Sequence, residues 1–193
     1  MNGISVCNHP SLLLNYVVYL SNILQNKTQS DKVFFPYFEN SEEVDWNMED
    51  LEHAWAISLK KYEEGTPVVV DSTLAAGELI HNTLFPNKPV SSANMLDSFL
   101  AWWWSYPCGG KEAIERLSDP IMLELWDELA TIKQERTIGA QSKVVTVHFL
   151  YGSVPNDRLP IYGNGYIIVS LGDLLDKGDR NRQLALDIMS SLP

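Results

Sequence analysis

A chain of 193 residues is near the usual size of one domain, and 45% hydrophobic with 20% charged residues is too apolar for disorder, so one globular domain spanning 1–193 is expected. The formal net charge of −11 leaves no dense Lys/Arg surface of the kind that a duplex phosphate backbone or an anionic membrane needs. Direct nucleic-acid binding and membrane attachment are therefore disfavoured, and a basic partner fits the charge better.

The acid is unevenly placed. Glu39 to Glu64 holds nine acidic residues against Lys60 and Lys61, whereas Gln141 to Pro193 is balanced, five against five. The two cysteines, Cys7 and Cys108, are too few for a disulfide framework and read as free thiols of a reducing compartment. The apolar stretch from Leu12 to Leu24 is broken by Asn15, Ser21 and Asn22 and is too short to span a bilayer. No Lys or Arg precedes it, as a signal peptide requires, so a cytoplasmic location is expected by default.

Along the chain, Pro10 suits the start of a helix in which Leu13, Tyr16, Val17, Leu20 and Leu24 recur at three- and four-residue steps. Lys32 to Phe38 is aromatic, but Pro36 restricts it to an edge strand or an extended loop. Met48, Leu51, Trp55, Leu59 and Tyr62 form one stripe of a second helix, with Glu49 and Asp50 at its positive end and Gly65 as its stop. Thr66 to Asp71 reads as a short buried strand, and Ser72 or Thr73 as the cap of a helix through Leu84. Ser92 to Trp104 predicts a helix with Met95, Phe99, Trp103 and Tyr106 aligned, ended by Pro107. Gly109 and Gly110 precede a short helix closing near Leu117, and Asp119-Pro120 predicts a fresh start for a helix ended by Gly139. Val144 to Tyr151 and Tyr166 to Leu171 are strands by propensity, Gly163-Asn164-Gly165 is a turn, and a last helix runs from about Arg180 to Met189. The expected class is α+β: a mostly helical first two thirds packed on a small sheet with a C-terminal strand pair. A layered α/β sheet is the second choice.

Four histidines limit the chemistry. Asp50-x-x-His53 and Glu78-x-x-His81 have the spacing of carboxylate-bridged metal sites, which also need two further carboxylates from neighbouring helices. Asp50 and His53 lie opposite the apolar stripe, so only Glu78 and His81 stay as metal candidates, and no metal or other cofactor is expected. Asp71 ends an apolar strand, where a general base could sit, but Asp-Ser-Thr is also an ordinary turn and cap. Cys108, beside Lys111, has the setting of a lowered-pKa nucleophile, with His81 or His148 as its base. A small thiol in a glycine turn is the plainer reading. Pro107-Cys108-Gly109-Gly110-Lys111 is not a phosphate loop, since Lys111 is followed by Glu112 and the first glycine is missing.

Trp102, Trp103 and Trp104 are consecutive, hence about 100° apart on a helix, and all three cannot face one core stripe. At least one is expected at a second packing surface, a partner or solvent. The leading functional expectation is a non-enzymatic interaction module, such as an immunity or inhibitor protein for a basic partner. Its expected contact residues are Glu42, Glu43, Asp45, Trp46, Glu49, Trp102 and Trp104, with Phe34, Phe35 and Tyr37 as further aromatic candidates. The alternatives are an enzyme with a dispersed acid/base or thiol site and a structural homo-oligomer built on the tryptophan helix.

Overall fold

The computed structural model describes residues 4–28, 33–35, 46–64, 80–85, 93–135, 143–163, 165–175 and 180–190. The chain falls into two compact units. One comprises residues 1–11, 113–153 and 160–193, and the other residues 12–112 and 154–159. The class is α+β.

The first unit is built on a four-stranded mixed sheet. Its strands are β1 (Ile4–His9), β2 (Lys143–Leu150), β3 (Tyr162–Gly163) and β4 (Tyr166–Ser170), in the order β1-β2-β4-β3. β1 and β4 both run parallel to β2, and the two-residue β3 pairs antiparallel at the edge. Val145, Val147 and Phe149 of β2 are buried to a side chain, as expected of a central strand rich in β-branched and aromatic residues. The expected strands at 144–151 and 166–171 are thus present, with Leu171 opening a short helix instead of ending a strand. The turn between β3 and β4 holds Gly165 at φ 81°, a conformation that favours glycine, and the Gly165 carbonyl accepts from the Thr146 N–H at 2.9 Å.

β1 was not foreseen. Ile4–His9 alternates poorly, and its parallel partner in β2 lies more than 130 residues on, so no local pattern announces it.

The sheet's helices can now be numbered with the rest: α1 (Leu12–Thr28), α2 (Met48–Glu63), α3 (Ala93–Trp103), α4 (Gly110–Glu135), α5 (Leu171–Leu175) and α6 (Arg180–Ser190). One face of α4 is buried through Ile114, Met122, Leu125, Leu129 and Ile132. Asn8 of β1 donates to the Ser118 hydroxyl of α4 at 2.7 Å, which places α4 on the sheet face that carries Asn8. α6 reaches β4 and buries Leu184, Ala185 and Ile188; Arg182 pairs with Glu128 at 3.7 Å, and the Asn181 amide donates to Glu124.

α4 corrects the expectation of two helices parted at Leu117–Pro120. It is continuous across Asp119-Pro120. Proline lacks the N–H that would bond the Arg116 carbonyl, but Arg116 and Pro120 are both exposed, on the side of the helix where solvent can hydrate such an oxygen.

The second unit is helical. α1 is buried around its whole circumference from Leu12 to Ile23, so the three polar interruptions in the sequence are interior. Asn22 donates to the Phe35 carbonyl at 2.7 Å, and Asn26 both donates to the Phe34 carbonyl and accepts from its N–H, each at 2.7 Å. These side chains hold the 34–35 backbone as a strand partner would. α1 packs on α2, where Leu51, Trp55 and Leu59 are buried as their spacing predicts. Asn47 and Asp50 form a reciprocal cap on α2: Asp50 N–H donates to Asn47 Oδ1 at 3.0 Å, and Asn47 N–H to the Asp50 carboxylate at 2.9 Å. Residues 80–84 are helical. The expected strand at 66–71 and the cap at 72–73 lie outside the described residues.

Candidate functional site

The three tryptophans take three environments, as consecutive helix positions must. Trp103 is buried and stacks on Phe99, with centroids 5.6 Å apart at 26°. Trp102 is half-buried against Tyr19, Phe35 and Phe99, at 6.1, 4.9 and 5.9 Å. Trp104 is exposed, at 38%. α3 ends at Trp103, so Tyr106 leaves the apolar stripe on which the spacing placed it and is 80% exposed. The reason is local. Ser105 N–H donates to the Trp102 carbonyl at 3.2 Å and Gly109 N–H to the Ser105 carbonyl at 2.8 Å, so the chain turns away before Pro107.

Gly109 and Gly110 have a packing role. A Cβ at Gly109 would meet the backbone oxygens of Ser105 and Trp102, and one at Gly110 would lie 2.5 Å from the Trp102 ring. The glycine pair lets α4 begin directly against the indole. Lys111, one residue on, sets its ammonium 5.1 Å from the Trp104 ring centre, a cation–π contact.

The outcome is an exposed stripe at helical spacing, Asp97, Ala101 and Trp104, followed by the exposed Tyr106, on the side of α3 opposite the packed cluster of Phe99, Trp103, Trp102 and Tyr19. Burial raises the pKa of both Tyr16 and Tyr19, so these phenols stay neutral. The second unit carries fifteen of the 25 Asp and Glu but seven of the 14 Lys and Arg, and so most of the net −11.

Trp46, expected at a partner surface, is instead 7% exposed, and its indole N–H donates to the Leu20 carbonyl at 3.3 Å. An indole meets both its apolar and its polar need by sinking onto α1, and sequence spacing gave no sign of that acceptor. Glu49 is exposed in the first turn of α2; Glu42, Glu43 and Asp45 lie outside the described residues, as does Tyr37. Phe35 is exposed on one side while its ring leans on Trp102. Tyr106, Asp97 and Lys111 were missed. Pro107 was the available signal for Tyr106, because a helix that must stop before a proline cannot keep that residue on its stripe.

Three of the catalytic candidates, Cys108, His81 and His148, lie within the described residues. Cys108 is an exposed free thiol in the second unit and, among the described residues, donates to no imidazole. His81 is buried beside Phe85, ring centres 5.3 Å apart. His148 belongs to the first unit, is 2% exposed, and has its pKa lowered to about 3 by burial and then by His9, so it is neutral at pH 7. Asp71 and Glu78 lie outside the described residues. Asp50 is engaged in the α2 cap, and His53 is exposed. Among the described residues no three His, Cys, Asp or Glu side chains are grouped to hold a metal ion, and no helix is long and apolar enough to cross a membrane.

No protein-family model, curated protein or solved structure matches the chain.

Proposed function

We propose that the chain is a non-enzymatic interaction module that docks a basic protein segment on the outer stripe of α3 and the turn after it, as an inhibitor or immunity protein does. The observation that carries the reading is the exposure of Trp104 and Tyr106 at the end of α3, within the unit that holds most of the negative charge. Tryptophan and tyrosine are among the residue types that most often anchor interfaces. The carboxylates steer an incoming cation, while the rings supply affinity. Lys111 over Trp104 marks a ring face that already accepts a cation and that an arginine of the partner can take over.

The test is selection of random peptides on the intact chain, followed by fluorescence anisotropy with the enriched sequences. Arg/Lys-rich peptides are expected, with affinity falling as salt rises from about 50 to about 300 mM. The double variant W104A/Y106A is expected to bind about tenfold or more weakly. Enriched peptides without a basic bias, or equal binding by the double variant, would overturn the proposal.

A further inference from the structure

The first turn of α4 carries a cation of this chain to the ring on which the docking reading depends. Gly109 and Gly110 let that turn close against the end of α3. A Cβ at Gly110 would lie 2.5 Å from the Trp102 ring, and one at Gly109 would meet the Trp102 and Ser105 backbone oxygens. Lys111 therefore starts from a backbone position that this close packing sets. Its ammonium stands 5.1 Å from the centre of the Trp104 ring. Lys111 and Trp104 belong to the same unit, so the contact is internal to it.

An indole face attracts a cation through the negative potential of its ring, and there is room for one charged group over it. Trp104 is 38% exposed, so the chain already covers the larger part of the residue and the ring does not offer two open faces. A cation that arrives from outside must then exchange with the Lys111 ammonium. A guanidinium is suited to that exchange: it is planar, stacks on aromatic rings and is more weakly hydrated than an ammonium.

We infer that Lys111 is a built-in competitor at Trp104, a cation of the chain itself that an arginine of the partner must displace and that holds down the affinity of the site. The inference rests on the docking reading above and adds the residue that tunes it.

Fluorescence anisotropy of the intact chain with a labelled peptide of alternating glycine and arginine, at about 50 mM salt, tests this. Lys111→Gln should bind the peptide about two- to fivefold more tightly than the parent, the range that an exposed cation–π contact supports. Lys111→Arg keeps a cation over the ring and should bind no more tightly than the parent. In the Trp104→Ala background, Lys111→Gln should gain less, because only the loss of a like charge remains. Circular dichroism will confirm that each variant is folded. A parent that binds and a Lys111→Gln chain that binds no better would overturn the inference and leave the docking reading standing. An equal gain in the presence and absence of the Trp104 ring would do the same, as would an equal gain for Lys111→Arg. Absence of binding by both the parent and Lys111→Gln would overturn the two together.

Discussion

His9 stands edge-on to His148 across the parallel pair β1–β2, with ring centres 5.4 Å apart at 84°. His148 is the buried member, with Tyr166 of β4 on its other side, ring centres 6.2 Å apart. Protonating His148 would bring a charge into the interior next to a second imidazole, so its pKa is lowered from 6.5 to about 3. The sign follows directly. Between these values the unfolded chain binds the proton and the folded chain does not, so unfolding takes up protons there. This contribution to stability is whole above about pH 6.5 and is lost as the pH falls toward about 3, at up to ~1.4 kcal/mol per pH unit. Urea unfolding at a series of pH values should show that slope, and His148→Phe should flatten it. An equal slope in the variant would assign the acid lability to other groups.

The reciprocal cap at Asn47 and Asp50 satisfies N–H groups that otherwise have no partner at the start of α2. Asn47→Ala removes the acceptor for the Asp50 N–H and should lower stability by about 1 kcal/mol. Asn47→Ser retains an oxygen and should lose much less. Denaturant midpoints of the two variants give the comparison; equal losses would mean that the cap contributes little.

Much of the helical architecture was legible because it is local. The stripe Leu51, Trp55 and Leu59 needs only a 3.6-residue period, and the structure buries it. The turn at Gly165 and the strands at β2 and β4 were likewise carried by residue type. What escaped was non-local. β1 is a strand because β2 is beside it, Trp46 is interior because the Leu20 carbonyl waits for its N–H, and α4 runs through Pro120 because that side of the helix meets water. The candidate surface was half legible. Three successive tryptophans forced at least one out of the core, and Trp104 is the one that emerges. The acidic neighbours were sought in 42–49, whereas the described acid on the same stripe is Asp97.

Gly110 is where α4 meets Trp102 without a side chain between them. Gly110→Ala pushes a methyl to 2.5 Å from the indole, so the ring must move off the bed it shares with Tyr19 and Phe35. Overpacking of this kind typically costs about 1–3 kcal/mol. A lowered melting temperature together with a shifted tryptophan emission maximum is expected. An unshifted spectrum with full stability would show that the ring has room to yield.

Tyr16 is fully buried in α1 against Phe99, ring centres 5.0 Å apart, and among the described residues its hydroxyl has no hydrogen-bond partner. A buried hydroxyl without a partner loses its hydration and gains nothing in exchange. Tyr16→Phe keeps the ring and its packing and removes only that oxygen. The variant should therefore be as stable as the parent or more so, by up to about 1 kcal/mol. Tyr16→Ala, which also empties the ring's volume, should lose about 3–5 kcal/mol. Thermal unfolding of the two separates the oxygen from the ring. A loss of more than about 1 kcal/mol in Tyr16→Phe would mean that the hydroxyl is satisfied and that it helps to hold α1 in place.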